Sequence, residues 1–364
     1  MILKHIKALK CGGEQVEPWS INYSETIIVD MMLIDEKRIH EVIDTRKPRS
    51  VALNGPEGLM PKIQNSADTI TEKYGIPAYV IGDTCWGSCD LNTHAAEVLG
   101  AEILFHIGHT ILTDTFGEKV VMINAYDDIS FDKVARKCAS GLLQKNYKTI
   151  SLLTYSQHLN QIGNVKEIFE EFGYKIIIGK GKGQLKDGQV FGCEFYPAFD
   201  AQNIVDACIV LGQSRFHSAS VAMSTGKPTY MLDPYFEVYS QINDLAEMIK
   251  KKAVLAIYNA SNAEKIGIII GLKEGQFAKI QALELKKLLE HLGKKVQLIA
   301  MTNITDGYVE VFKGIDAFVE VACPRIALDA HFGKPMLSAP QAFALIKLLK
   351  NEPIEDFLKV HHWL

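Results

Sequence analysis

The sequence predicts an α/β protein in which one structural unit occurs three times and each copy builds a mainly parallel sheet. Two observations indicate this fold. Short β-rich runs alternate with amphipathic helical patterns along the 364 residues, as expected for βαβ units with right-handed crossovers. An equal spacing also marks the end of each copy, because His109, Arg215 and Arg325 each follow an alanine by eight residues. Such a recurrent spacing indicates internal triplication.

Each copy is predicted to contain the same elements in the same order. The opening helices are predicted at 35–45, 131–145 and 240–251. The first strands are predicted at 50–54, 149–154 and 267–271, each followed by an amphipathic helix. The second strands are predicted at 78–82, 175–179 and 296–300. The third strands are predicted at 101–109, 207–215 and 317–325, with a Gly/Lys stop at 117–119, 226–228 and 333–335.

These repeats predict three Rossmann-like domains around a central site. The predicted boundaries are 1–130, 131–245 and 246–364. In open α/β sheets, ligands bind at the carboxyl ends of the strands, where loops and helix amino termini offer free N–H groups. We therefore expect the functional site at the ends of the three sheets that face one another.

The composition is that of a globular protein. The chain is 48% hydrophobic and 23% charged, and its net charge is −4 from 39 basic and 43 acidic residues. This balance gives no field that would draw it to nucleic acid or to an anionic membrane surface. No apolar run approaches the roughly 20 residues of a membrane span, and no secretory signal pattern is present, so a cytoplasmic location is expected.

Three of the seven cysteines follow predicted strands, one in each copy of the unit. They are Cys89, Cys193 and Cys323. Three distant thiolates suit a [4Fe-4S] cluster with one open iron, whereas structural zinc normally takes four closely grouped ligands. Cys85 competes with Cys89 for the first position, and the residues alone favour neither strongly.

The other cysteines and the histidines are interpreted as structural. Cys138 and Cys208 lie in apolar contexts typical of core thiols, and Cys11 is interpreted as incidental. No histidine pair has the spacing of a familiar metal motif. The sequence HHWL at 361–364 is interpreted as a tail, and GKGKGQ at 179–184 as a flexible hairpin rather than a phosphate loop.

Five segments together resemble the archaeal diphthamide-biosynthesis radical enzymes, the 2-(3-amino-3-carboxypropyl)histidine synthase family. They are NGPEGL (54–59), GDTCWGSCD (82–90), GCEFYPAFD (192–200), SRFHSASVAMSTGKPTYMLDPY (214–235) and ACPRIALD (322–329). The resemblance follows the whole chain in order. WGSC corresponds to the family's YGAC element, with Trp86 and Ser88 as departures, and so selects Cys89 over Cys85.

The resemblance implies a [4Fe-4S] enzyme in which Cys89, Cys193 and Cys323 hold the cluster and S-adenosylmethionine is the co-substrate. Cleavage at the methionine γ-carbon would give a 3-amino-3-carboxypropyl radical and methylthioadenosine. The radical would add to imidazole C2 of a histidine of translation elongation factor 2, the first step of diphthamide biosynthesis. It also implies a homodimer and an electron donor, with no catalytic residue beyond the cluster ligands.

Five further residues are candidates to hold S-adenosylmethionine. They are Glu57, Arg215, His217, Asp233 and Arg325. Arginine can grip the methionine carboxylate through two hydrogen bonds, and Glu57 follows a first strand in a Gly-rich turn. Interdomain salt bridges, or for Glu57 a charge at a helix amino terminus, explain these residues about as well.

Two alternatives remain open from the sequence. Quinolinate synthase also combines three related α/β domains with one cysteine each around a [4Fe-4S] cluster, but it acts as a Lewis-acid dehydratase. A non-enzymatic triplicated α/β binding protein, with its cysteines simply packed, is the other alternative. The RFH…DPY and ACPR segments favour the radical enzyme over both.

Overall fold

The structure is a computed structural model that describes residues 31–83, 85–111, 115–329 and 331–363. Cys11, and His5 among the histidines interpreted as structural, lie outside these residues. Its helices are α1 Glu36–Arg46, α2 Met60–Tyr74, α3 Thr93–Val98, α4 Asp132–Leu142, α5 Ile162–Glu171, α6 Tyr196–Ala201, α7 Arg215–Thr225, α8 Asn243–Ser261, α9 Lys279–His291, α10 Asp306–Glu310, α11 Pro324–Asp329 and α12 Ala339–Leu349.

Its strands are β1 Met32–Ile34, β2 Val51–Asn54, β3 Ala78–Val80, β4 Ile103–Ile107, β5 Thr115–Phe116, β6 Val120–Ile123, β7 Ala125–Asp127, β8 Thr149–Thr154, β9 Lys175–Ile177, β10 Ala207–Leu211, β11 Thr229–Asp233, β12 Val238–Gln241, β13 Lys265–Gly271, β14 Lys295–Met301, β15 Ala317–Glu320 and β16 Met336–Leu337. Helices and strands alternate through most of the described chain, as the sequence predicts.

The strands form three mainly parallel sheets in sequence order. The first has the order β3-β2-β4-β6-β5, the second β12-β11-β10-β8-β9 and the third β14-β13-β15-β16. Only β5 and β12 pair antiparallel within them. A separate two-stranded antiparallel ribbon joins β1 to β7. The predicted α/β class with repeated parallel sheets is confirmed.

The buried strands explain why the sheets are parallel. The central strands β2, β4, β8 and β10 are buried along all or nearly all of their length, because helices cover both faces of each sheet. Such strands read as continuous runs of apolar residues rather than as an alternation. Separate apolar clusters lie on the two faces of each sheet.

Several predicted element bounds are wrong in detail. The predicted third strands are too long, because Arg215 begins α7 and Arg325 lies in α11. The third helical pattern begins too early, since residues 240–241 belong to β12. The domain boundaries stay a prediction: α8 runs through the boundary predicted at 245/246, although each sheet is made from one stretch of chain. No helix among the described residues is long and apolar enough to span a bilayer.

Candidate active site

The three predicted ligand cysteines each follow a strand of a different sheet. Cys89 lies between β3 and α3, Cys193 between β9 and α6, and Cys323 between β15 and α11. All three are free, half-buried thiols. Burial raises the pKa of Cys193 well above its ordinary value, and the charges of Cys323 and Cys89 raise it further.

The Cys89 loop is fastened to the loop that follows β13. The Gly275 N–H donates to the Cys89 carbonyl at 2.9 Å, and the Gln276 amide donates to the Cys89 sulfur at 3.5 Å. A methyl group at position 275 would lie only 2.5 Å from Cα of Cys89, so glycine is required for this close approach. Beside it, the ammonium of Lys273 forms a buried ion pair with Asp90.

Glu274 completes this contact between the first and third sheets. Its carboxylate accepts hydrogen bonds from the backbone of Thr93 at 2.8 Å, the hydroxyl of Thr93 at 2.7 Å and the backbone of Leu91 at 3.3 Å. These bonds lower the pKa of Glu274 although burial opposes them. The loop of one unit therefore carries a continuous set of polar contacts to the cysteine loop of another.

The Cys193 loop is fastened by the last described residues of the chain. The Trp363 N–H donates to the Cys193 carbonyl at 2.9 Å, and Phe195 donates its N–H to the His361 carbonyl at 2.8 Å. Trp363 is buried, with its ring 4.8 Å from that of Phe195 between centroids. Its indole N–H donates to the Leu358 carbonyl at 2.9 Å. The prediction that 361–364 is a mere tail is wrong for residues 361–363, because an indole with a satisfied N–H is a packing anchor.

Cys323 is held by a carboxylate of its own unit. Glu320, buried at the end of β15, accepts hydrogen bonds from the backbone N–H groups of Ala322 at 2.9 Å and Cys323 at 2.8 Å. Its other carboxylate oxygen is buried without a hydrogen-bond partner among the described residues. Burial raises the pKa of Glu320 to about 8. Glu320 was not identified from the sequence, since a single glutamate at a strand end carries no distinctive spacing.

Arg325 and His217 lie together between the second and third units. The Arg325 guanidinium donates to Asp329 at 2.6 Å and stacks 4.8 Å from the centroid of the Phe216 ring. Nδ1 of His217 is 2.6 Å from the Ser214 hydroxyl. Burial, and then the charge of Arg325, lower the pKa of His217 to about 3, so this imidazole is neutral.

The remaining predicted residues have structural surroundings of their own. Asp233 is buried at the end of β11, and its carboxylate accepts from the N–H groups of Tyr235 at 2.9 Å and Phe236 at 3.2 Å. Arg215 is half-buried at the first residue of α7. Glu57 is exposed in a short 3-10 turn after β2. Their roles in binding stay predictions.

A second group of metal-binding side chains lies in the first unit. Cys85, His106 and His109 each offer one ligand atom, and these atoms lie within 4.8 Å of one another. Burial raises the pKa of Cys85 to about 12 and lowers that of His109 to about 4. Sequence spacing missed this group because Cys85 follows β3 whereas His106 and His109 lie in and just after β4, and these two strands flank β2 in the sheet. The usable signal was that both strands end at the same edge of one sheet.

The donor set of Cys89, Cys193 and Cys323 suits an iron–sulfur group. One thiol comes from each unit, none is in a disulfide, and glycines at 87 and 275 leave room beside Cys89. Cysteine thiolates are the usual ligands of such clusters, and three of them leave one iron open. Among the described residues, the group of such ligand atoms that all lie within 4.8 Å of one another is Cys85, His106 and His109, so the three sulfurs are not spaced as ligands of a single zinc ion.

Comparison with known proteins identifies the family. The family model of the putative diphthamide synthesis proteins matches residues 55–356. A 2-(3-amino-3-carboxypropyl)histidine synthase from Pyrococcus horikoshii is 28% identical over 313 residues, covering 85% of this chain and 89% of the relative. The subunit 1 protein of that name from Gallus gallus is 29% identical over 302 residues, covering 81% of this chain and 72% of the relative.

A solved structure agrees with these relatives in fold. The crystal structure of Dph2 from Pyrococcus horikoshii with a 4Fe-4S cluster superposes with a TM-score of 0.80 at 28% identity, covering 87% of this chain and 91% of that one. Its match extends across all three sheets. With the family model covering most of the sequence, the prediction from the sequence motifs is confirmed: this chain belongs to the diphthamide synthesis protein family.

Proposed function

We propose that this chain is a 2-(3-amino-3-carboxypropyl)histidine synthase. It transfers the 3-amino-3-carboxypropyl group of S-adenosylmethionine to imidazole C2 of a histidine on translation elongation factor 2, the first step of diphthamide biosynthesis. The observation that supports this proposal best is that Cys89, Cys193 and Cys323 are free thiols, each following a strand of a different parallel sheet. The names of the chain's relatives and its family agree with it.

Cys89, Cys193 and Cys323 would hold a [4Fe-4S] cluster in this enzyme. When bound, the cluster supplies one electron and an open iron for the sulfonium of S-adenosylmethionine. The protein's part is to fix the sulfurs. Gly275 and Gln276 hold the Cys89 loop, the backbone of Trp363 holds the Cys193 loop, and Glu320 holds the turn at Cys323.

The residues around the second and third cysteines suit a zwitterionic methionine group. The guanidinium of Arg325 is held in one orientation by Asp329 and by the Phe216 ring. A guanidinium held in this way can donate two parallel hydrogen bonds to a carboxylate. Glu320 offers a buried carboxyl oxygen without a described partner, and a bound ammonium would favour the charged form of this group. Neutral His217 adds a polar group without a competing charge. Orientation of this group decides which carbon–sulfur bond breaks.

Glu57, Arg215 and Asp233 are weaker candidates for the same role. Asp233 already accepts two backbone hydrogen bonds that form the turn after β11, and Glu57 is exposed. We propose Arg325 as the principal partner of the carboxylate. The variant Arg325→Lys keeps the positive charge but cannot donate two parallel hydrogen bonds to the carboxylate. It should raise the KM for S-adenosylmethionine more than it lowers kcat.

The decisive experiment is an anaerobic turnover assay on the full chain reconstituted with iron and sulfide. With S-adenosylmethionine and dithionite, methylthioadenosine should form, and Cys89→Ala, Cys193→Ala or Cys323→Ala should each abolish it. Cys138→Ala is the matched control, because this thiol is buried in the core of the second unit and should leave turnover intact.

Two other results of this assay would overturn the proposal. Deoxyadenosine would mean that the adenosyl carbon faces the iron. Intact S-adenosylmethionine beside a correctly assembled cluster would favour the Lewis-acid chemistry of a quinolinate synthase. Transfer itself is tested with elongation factor 2, whose mass should rise by the aminocarboxypropyl group only with the active enzyme.

We also propose that two copies pair through the third unit. Leu272, Phe277 and Ile280 are 51%, 57% and 86% exposed around the start of α9, and β14 is the edge of its sheet. Exposed apolar surface beside an edge strand is typical of a protein interface. Ile280→Asp should convert the dimer to a monomer in analytical ultracentrifugation. Ile204→Asp, a change at an isoleucine 64% exposed in the second unit, should not.

The free thiols of the described cysteines support a location in a reducing compartment. We propose a cytoplasmic location and a separate electron donor, because the described cysteines are all free and the cluster needs reduction for turnover. Neither a membrane nor a nucleic acid is proposed as a partner, in keeping with the net charge of −4. Fractionation of cells expressing the tagged full chain would test the location.

A further inference from the structure

Cys85, His106 and His109 form a compact triangle of ligand atoms. The Cys85 sulfur lies 3.9 Å from Nε2 of His106 and 3.8 Å from Nδ1 of His109, and these two nitrogens are 3.2 Å apart. On a tetrahedral zinc ion with bonds of about 2.0–2.3 Å, ligand atoms lie roughly 3.3–3.6 Å apart. The triangle therefore has nearly the dimensions of a zinc site.

The orientation of His106 is set by a second residue. The Asn54 amide donates through Nδ2 to the Leu91 carbonyl at 2.7 Å, so its oxygen is the atom that faces Nδ1 of His106 at 2.9 Å. An oxygen accepts, so Nδ1 of His106 carries the proton and Nε2 presents a lone pair to the triangle. Histidines that bind metals are usually oriented in this way by an outer hydrogen bond.

The three residues of the triangle come from two separate parts of the first unit. His106 is in β4 and His109 follows it, whereas Cys85 belongs to the loop that carries Cys89 four residues later. The Cys85 thiol donates to the Asp90 carbonyl at 3.1 Å, so the loop folds back over it. Cys85 and His106 are buried, and such a set of one sulfur and two nitrogen ligands is typical of zinc sites.

We propose that Cys85, His106 and His109 form a second metal site, separate from the three-cysteine site, that binds a zinc ion. Binding displaces the thiol proton of Cys85, which passes to solvent, and leaves a fourth position for water. The ion joins the Cys89 loop to the carboxyl end of β4. Its role is to position the loop, and it does not depend on the proposed reaction.

Without a metal the same geometry has a simpler explanation. Nδ1–H of His109 would donate to Nε2 of His106, and the Cys85 thiol would keep its proton and its bond to Asp90. The two states differ in measurable ways, because only the metal site needs all three side chains at once. A hydrogen-bonded cluster would hold no stoichiometric metal.

The test is the metal content of the full chain, measured by inductively coupled plasma mass spectrometry after anaerobic reconstitution of the cluster. We expect about one zinc ion per chain in addition to about four irons. Cys85→Ser and, separately, His109→Asn should each lose the zinc and keep the iron. Cys138→Ser is the matched control and should keep both.

A second measurement separates this site from adventitious zinc at empty cluster positions. In a variant with Cys89, Cys193 and Cys323 all changed to serine, added Co²⁺ should give the absorption of a tetrahedral thiolate site, and adding Cys85→Ser should remove it. Asn54→Leu should weaken cobalt binding by about 10- to 100-fold, as expected when an outer hydrogen bond is lost.

Three results would contradict the proposed zinc site. These are the absence of metal beyond the four irons, zinc that persists in both Cys85→Ser and His109→Asn, and a cobalt spectrum indifferent to Cys85. Near-ultraviolet circular dichroism of each variant must match that of the parent chain. If either Cys85→Ser or His109→Asn unfolds, the metal content of the other variant decides the test.

Discussion

The loops of Cys89 and Cys193 are both held by distant parts of the chain, but by different forces. The Cys89 loop is held by polar groups of residues 273–276, including the buried pair of Lys273 and Asp90. The Cys193 loop is held by backbone bonds and by the buried ring of Trp363. Aromatic burial adds net stability, whereas a buried ion pair mostly offsets its own desolvation and fixes geometry.

This difference predicts that the two loops respond differently to the loss of one side chain. Removing the tryptophan leaves a cavity, while removing the lysine leaves an unpaired charge. The first change should cost stability throughout the second unit. The second should act chiefly where the first and third units meet.

The largest effect is expected for Trp363→Ala. Loss of a fully buried indole and its hydrogen bond to Leu358 should lower the free energy of unfolding by about 4 kcal/mol. Chemical denaturation measures this, and iron retention should fall because Cys193 loses its support. Trp86→Ala is the control: Trp86 is 67% exposed in the Cys89 loop, so its loss should cost little stability. Equal costs for the two variants would show that Trp363 is not an anchor.

A somewhat smaller effect is expected for Lys273→Met. It leaves the buried carboxylate of Asp90 without its cation and should cost about 3 kcal/mol. The double variant with Asp90→Asn should regain much of this loss, since no buried charge remains. Lys180→Met removes an exposed pair with Asp187 and should cost less than about 1 kcal/mol. Additive costs in the double variant would contradict a direct interaction.

The smallest effect on stability is expected for Gly275→Ala. The new methyl group would press on Cα of Cys89, and overpacking of this kind costs about 1–3 kcal/mol. Iron should leave this variant faster on chelator challenge while the overall fold is kept. Gly307→Ala, at a glycine with open space around it, is the control. Unchanged iron release from Gly275→Ala would show that the Cys89 loop tolerates displacement.

The sequence predicted the architecture well because its signals are local. Parallel strands that are buried on both faces read as apolar runs, and their repetition identified three units. The Cys89, Cys193 and Cys323 set followed from strand ends and from family motifs. Element bounds were less accurate, as Arg215 and Arg325 show by lying in helices rather than strands.

Contacts between units could not be predicted in the same way. Lys273 meets Asp90 across 183 positions of sequence, and no spacing rule relates them. One signal was available: Glu274–Gln276 follows β13 as Glu57–Leu59 follows β2, so the third unit repeats the Gly-rich turn of the first. The packing of Trp363 against Phe195 had no comparable signal.

The order of the contacts along the chain has a consequence for how the protein is made. Cys89 is supported only after residue 276 has been synthesised, and Cys193 only after Trp363 has been. A ribosome releases these segments in that order, so the Cys89 loop gains its support before the Cys193 loop does. We therefore expect metal assembly at the proposed three-cysteine site to wait for the synthesis of Trp363, so that a chain stalled before residue 358 would form its sheets without a supported Cys193 loop.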